Sequence, residues 1–237
     1  MRPVLIFDYD GTINETMKIY MPGVRKAVDW LIEDCGIKVE RPADEKIASW
    51  LGMNMDDMWA DFLPGLNSEL KMKAAHMVGK VMLEKTIAHE AAWYDGMEET
   101  LDGLKARGYD MAVLSNCGIL YAQTQWEVFG MDRWFDAFFQ CESFDNAPKE
   151  EIMKAIALDY EKAAEHTPAK SSGGPAGHDR DFILIGDRDS DLYAAKGAAA
   201  PFIGCAYGYA APGELDEADV SAGTPADILK AVAVLDR

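Results

Sequence analysis

The chain has 237 residues and a formal net charge of −18, with 49% hydrophobic and 27% charged residues. So acidic a balance argues against broad binding to nucleic acid or to anionic membranes, both of which need a basic surface. The apolar share is that of a folded globular protein rather than a disordered one, and the length allows one large domain or a core with an accessory domain.

The first element is the run Val4-Leu5-Ile6-Phe7, which delivers Asp8-Tyr9-Asp10-Gly11-Thr12. Four consecutive apolar residues predict a strand buried on both faces, as in a parallel sheet with helices on each side. Charge can then appear only where the strand leaves the core, so Asp8 and Asp10 belong at its carboxyl end. Two acids so close repel each other, and a divalent cation would relieve the repulsion. An ordinary acidic turn is the competing reading of this tetrapeptide. An EF-hand loop fits poorly, because its glycine falls at the sixth position and Gly11 is fourth from Asp8.

Further strands are predicted at Met111-Ala112-Val113-Leu114, Ala137-Phe138-Phe139-Gln140, Phe182-Ile183-Leu184-Ile185 and Pro201-Phe202-Ile203-Gly204. Between them lie helical patterns over residues 98–106, 120–129, 149–165 and 189–196, the first, second and fourth closed by Gly108, Gly130 and Gly197. Strand alternating with helix predicts an α/β fold, a doubly wound, Rossmann-like, five-stranded parallel sheet. The gap between the first two strands spans roughly 100 residues, against about 30 for an ordinary βαβ unit, so something is inserted there.

The insert is helix-rich. Residues 15–34 carry an apolar repeat interrupted early by Pro22-Gly23, shorter segments follow at 43–51 and 54–62, and a long one runs over 68–90. A small antiparallel helical bundle is expected, with its methionines, Met72 and Met82 among them, and Trp30, Trp50 and Trp59 packed in its core rather than lining a pocket. Domain boundaries follow: residues 1–13 and 93–237 form the α/β core and 14–92 the helical insert. The stretch 167–179, with Ser171-Ser172-Gly173-Gly174-Pro175, has linker composition and predicts a mobile surface loop.

Cys35, Cys117, Cys141 and Cys205 are scattered with no Cys-x-x-Cys pair and read as buried thiols. His76, His89, His166 and His178 have no ligand spacing. The amino terminus enters a strand without a signal-peptide pattern, and no apolar run approaches the ~20 residues that span a bilayer, so a cytoplasmic protein is expected.

Three other strand ends carry residues suited to phosphate. Ser115-Asn116 offers a hydroxyl and backbone amides, and Gly186-Asp187-Arg188-Asp189-Ser190-Asp191 is an acidic cluster opening a helix. One cap residue would serve that helix, and three acids are more than capping needs. Lys149 stands at a helix start, where the macrodipole disfavours a cation, which suggests an anionic partner.

Taken together, these residues resemble the four motifs of the haloacid dehalogenase superfamily: Asp8 to Thr12, then Ser115, then Lys149, then Asp187 to Asp191. The insertion behind the first motif resembles the helical cap of the phosphoglycolate phosphatase and β-phosphoglucomutase branch. The resemblance implies a strand order of five, four, one, two, three, which brings Asp8 beside Asp187 at a topological switch point. It implies a phosphatase acting on a small phosphorylated metabolite, with Asp8 as nucleophile forming a phosphoaspartyl intermediate and Asp10 as general acid and base. It also implies Mg2+ held by Asp8, the Asp10 backbone carbonyl and Asp187, with Thr12 and Asp191 in support, Asp191 acting through water or by positioning Lys149. Ser115, Asn116 and Lys149 would hold the phosphoryl oxygens. Dehalogenases and phosphonoacetaldehyde hydrolases of this kind lack the second aspartate, so Asp10 favours phosphate esters. The alternatives are a phosphosugar mutase, for which Lys18, Arg25 and Lys26 are the only early cations of the insert, and a non-catalytic metabolite- or partner-binding protein. A monomer or homodimer is expected.

Overall fold

The protein is described by a computed structural model covering residues 2–53, 55–170 and 181–236. In chain order the elements are β1 (Val4–Phe7), α1 (Met17–Glu33), α2 (Asp44–Ala48), α3 (Met55–Phe62), α4 (Ser68–Ile87), α5 (Met97–Ala106), β2 (Met111–Ser115) and α6 (Ile119–Phe129). Then come β3 (Ala137–Gln140), α7 (Lys149–Leu158), α8 (Tyr160–Ala164), β4 (Phe182–Gly186), α9 (Asp189–Gly197), β5 (Phe202–Cys205), β6 (Val220–Ala222) and α10 (Pro225–Leu235). The strands form one parallel sheet in the order β3-β2-β1-β4-β5-β6. The fold is the doubly wound α/β architecture expected, with the strand count corrected from five to six. The added strand, β6, is three residues on the sheet edge with Ser221 exposed, too short and too polar to register as an apolar run.

The alternation of side chains along each strand builds two cores. Leu5 and Phe7 of β1 face a cluster with Met97, Leu101 and Leu104 of α5 and Ile228 and Val232 of α10. Val4 and Ile6 point the other way, to Ile152, Met153 and Ile156 of α7 and Leu192 and Ala195 of α9. With helices on both faces, the sheet leaves the strand ends as the place where polar side chains can gather.

The chain divides into two compact units, Met1–Glu15 with Trp93–Arg237, and Thr16–Ala92. The second unit is helical, and its core holds Val24, Val28, Leu31, Trp50, Trp59 and Val78. Here Pro22-Gly23 does not interrupt the helix, as the sequence suggested: α1 continues through both residues. Gly23 is in close contact with α4, where a Cβ would lie 3.0 Å from the Val78 carbonyl oxygen. Trp50 and Trp59 are core residues as expected, whereas Met72 is 53% exposed.

Two further expectations change. The helix anticipated over 149–165 breaks at Asp159, whose extended backbone ends α7 and whose carboxylate accepts from the Lys162 amide to start α8. The linker anticipated over 167–179 is anchored at its start: Thr167 Oγ1 donates to the Phe138 carbonyl at 2.5 Å and the Phe138 amide donates to the Ala169 carbonyl at 2.8 Å. Residues 171–179 of that stretch, with His178, lie outside the described residues. Among the described residues, no helix is long and apolar enough to cross a membrane.

Candidate active site

The register of β1 against β4 pairs Phe7 with Ile185, and the Asp8 amide donates to the Ile185 carbonyl at 2.8 Å. Asp8 therefore leaves β1 level with Gly186, and Asp187 follows one residue later. On the other side of β1, β2 runs level to Ser115, which is buried, with Asn116 exposed just beyond it. The hydrogen bonds of Tyr9, Gly11 and Asn14 fold residues 9–14 into a compact turn, in which the Asn14 amide donates to the Tyr9 carbonyl at 2.9 Å and the Gly11 amide to the Asn14 carbonyl at 3.0 Å.

Gly11 is required by that turn. Its φ is +100°, and a Cβ there would lie 2.3 Å from Asp187 Oδ2. The same side chain also leaves no room at Gly208, where a Cβ would lie 2.4 Å from Asp187 Cβ. Asp187 is thus held between two backbone segments, accepting from the Tyr209 amide at 2.6 Å and from Thr12 Oγ1 at 3.3 Å. Tyr207 closes the arrangement by donating from its hydroxyl to the Thr12 carbonyl at 2.7 Å.

Lys149, the first residue of α7, reaches across to the end of β1. Its Nζ donates to Asp8 Oδ1 at 2.5 Å and to Asp191 Oδ1 at 2.6 Å, with all three side chains almost fully buried. The anionic partner that its unfavourable place at a helix start called for is thus a pair of carboxylates within the chain. Asp191 also accepts from the Arg188 amide at 3.1 Å, which ties it to the first turn of α9.

Oxygens of Asp8, Asp187 and Asp191 all lie within 4.8 Å of one another. Burial, with only part of the cost offset by the Lys149 ammonium, raises the Asp8 carboxyl above its ordinary value. Burial raises Asp191 to about 6 against the same ammonium, and burial with repulsion from Asp8 and Asp191 pushes Asp187 well up. For Lys149 burial works the other way, yet the two carboxylates win and its value is raised. Three acids facing one ammonium leave an excess of negative charge, and an all-oxygen set of this kind suits a hard divalent cation.

Asp10 is set apart from this cluster. It is half-buried, and its Oδ1 accepts from the Tyr121 hydroxyl at 2.7 Å, which in turn accepts from Asn14 Nδ2 at 3.2 Å. Burial and the nearby Asp10 charge push the Tyr121 phenol well above its ordinary value, so it remains a donor. The two carboxylates of the first motif therefore face different partners, an ammonium for Asp8 and a phenol for Asp10.

A family model for haloacid dehalogenase-like hydrolases matches residues 5–205, a span that includes Asp8, Asp10, Ser115, Tyr121, Lys149, Asp187 and Asp191. The chain belongs to that family. Among curated relatives, this hydrolase is 25% identical over 215 residues to a phosphoglycolate phosphatase of Psychrobacter arcticus, covering 88% of this chain and 85% of that one. It is 24% identical over 214 residues to a 5'-nucleotidase of Pseudomonas aeruginosa, covering 90% and 86%. The crystal structure of a predicted phosphoglycolate phosphatase from Haemophilus somnus superposes with a TM-score of 0.73 at 20% identity, covering 97% of each chain, and shares the fold.

Several residues at this site were not singled out from the sequence. Tyr121 lies in a helix pattern marked only by apolar spacing, and Tyr207-Gly208-Tyr209 follow β5 in a stretch with no charged residue to mark it. Glu214 was missed too, although it fastens the loop after β5 to the fourth motif by accepting from Arg188 Nε at 2.7 Å and the Asp189 amide at 2.9 Å. The thiols expected to be buried are so only for Cys205; Cys35, Cys117 and Cys141 are half-buried, and all four are free.

Proposed function

We propose that this hydrolase is a magnesium-dependent phosphatase that cleaves a small phosphorylated metabolite through a phosphoaspartyl intermediate on Asp8. The observation that carries the reading is the separation of roles between two neighbouring carboxylates. Asp8 is oriented by Lys149, as an in-line nucleophile must be, and Asp10 is oriented independently by Tyr121, as a proton carrier must be.

Attack of Asp8 on phosphorus forms the Asp8–phosphorus bond as the ester oxygen leaves, and Asp10 gives that oxygen its proton. Asp10 then takes a proton from the water that cleaves the acyl phosphate, regenerating Asp8 and releasing inorganic phosphate. Lys149 and Ser115, with the Asn116 amide, hold the phosphoryl oxygens that carry charge in the transition state, and Asp191 keeps Lys149 in place. Asp8, Asp187 and the Asp10 carbonyl would hold Mg2+, with Thr12 supporting Asp187. When bound, the ion neutralises the excess carboxylate charge and screens the approach of an anionic substrate. The helical unit is assigned the role of a cap that selects the substrate.

A mutase is the second reading, and the helical unit disfavours it. Lys18, Arg25 and Lys26 are exposed, and Arg25 is paired with Asp44 in an ion pair more than half exposed at both ends. The relatives suggest two substrate classes, a small phosphorylated carboxylate and a nucleoside 5'-monophosphate. The test is phosphate release from 2-phosphoglycolate, nucleoside monophosphates, hexose phosphates and hexose bisphosphates, with and without Mg2+. Release that requires the metal supports the reading. Isomerisation of a hexose phosphate without net phosphate release would make the chain a mutase, and no turnover of any ester would remove the phosphatase.

A further inference from the structure

Tyr121 stands outside all four motifs, yet it holds the carboxylate on which proton transfer is proposed to depend. Its hydroxyl donates to Asp10 Oδ1 at 2.7 Å, within the range of a strong hydrogen bond to an ionised acceptor. The hydroxyl is itself held, because Asn14 Nδ2 donates to it at 3.2 Å. Asn14 is fully buried, and its backbone is fixed by the bridges to Asp10 and to Trp93. The ring packs edge-on against Tyr9, with centroids 6.2 Å apart and planes at 74°. Tyr9 is fixed in turn, donating to Gln125 Oε1 at 2.9 Å and accepting from Trp93 Nε1 at 3.1 Å. Every group around the Tyr121 hydroxyl thus has a defined position, and the α6 helix that carries Tyr121 follows directly from the Ser115 strand end.

We infer that Tyr121 is a positioning residue for proton transfer: by donating to Oδ1 of Asp10 it orients the carboxyl that carries the proton to and from the reacting oxygens. This rests on the reading of Asp10 as general acid and base given above. Tyr121 keeps its own proton throughout; the proton that moves goes from the Asp10 carboxyl to the leaving oxygen, and a proton from water later returns to Asp10. Without that bond the carboxyl loses a contact that aligns it with the reacting oxygens, and loss of alignment of this kind costs about 10²-fold.

The experiment is single-turnover release of the leaving alcohol, with enzyme in excess and Mg2+ present, in wild type, Tyr121→Phe, Tyr109→Phe and Asp10→Asn. A nitrophenyl phosphate has a leaving group that needs no proton, whereas an alkyl phosphate accepted by the wild type needs one. For Tyr121→Phe, release from the alkyl ester should fall about 10- to 100-fold while release from the nitrophenyl ester stays within about twofold. Tyr109→Phe removes a phenol hydroxyl that bonds Asp236 and Arg2, away from Asp10, and should leave the ratio of the two rates at the wild-type value. Equal losses with both esters in Tyr121→Phe would show a merely structural role, and unchanged rates with both would also overturn the proposal. Asp10→Asn separates the two readings: if that variant keeps the wild-type ratio of the two rates, the general-acid reading itself fails, whatever Tyr121→Phe does.

Discussion

The carboxyl end of the sheet and the helical unit use charge in opposite ways. At the sheet end Asp8, Asp187, Asp191 and Lys149 are buried together, where each unpaired charge is costly. In the helical unit the ion pairs Arg25–Asp44, Arg41–Asp29 and Arg41–Glu33 are more than two-fifths exposed at each end, and beneath them lies an apolar core around Trp50 and Trp59. Charge bought at the surface contributes little to stability, about 0 to 1 kcal/mol for a pair. Buried charge that survives in a fold without being replaced by apolar groups points to chemistry, and here it coincides with the motifs of a hydrolase family.

The contrast can be broken most severely at Lys149. In Lys149→Met the carboxylates of Asp8 and Asp191 lose the cation that both contact, so phosphatase activity should fall by about 10³-fold or more and stability by about 3 to 5 kcal/mol at pH 8. Denaturant melts and steady-state rates check both effects. Retention of full stability would mean that the cluster is less buried than the fold describes.

Next in size is the metal-free stability of Asp187→Asn. The folded protein holds the Asp187 and Asp191 carboxyls above their ordinary values, so between the unfolded value near 4 and the folded ones it binds protons that the unfolded chain has released. Stability of the metal-free wild type therefore falls as pH rises through that window, including the region around 6 where Asp191 titrates. Removing one charge should stabilise the metal-free protein at pH 8 by about 1 to 3 kcal/mol, with the gain shrinking toward pH 5. Mg2+ should then raise the melting temperature of the wild type much more than that of the variant. A gain independent of pH would contradict the assigned electrostatics.

The smallest effect sharpens the other side of the comparison. Arg25→Ala should change stability by less than about 0.5 kcal/mol and leave the rate of ester hydrolysis within about twofold. A large rise in KM would make Arg25 a substrate contact and revive the mutase.

The two regions also differ in how far the sequence discloses them. Asp8, Lys149, Asp187 and Asp191 were legible because each sits beside a buried apolar run or at a helix start, where a charge is conspicuous. The break at Asp159 was not, since no glycine or proline marks it and the amphipathic pattern continues on both sides. Pro22 was misleading for the converse reason: a local breaker was overridden by the packing of Gly23 on Val78, a contact between residues distant in sequence. Tyr121 and Glu214 escaped notice because their roles depend on partners more than twenty residues away, and no local spacing encodes such a bond.

The central claim is that Asp8 becomes covalently phosphorylated during turnover. Rapid acid quench of the wild type with Mg2+ and an excess of an accepted phosphate ester, followed by peptide mass mapping, should find a phosphoryl group on Asp8, absent when the metal is removed. Turnover with no phosphopeptide on quenching, or a phosphoryl group on Asp10 or another side chain, would contradict it.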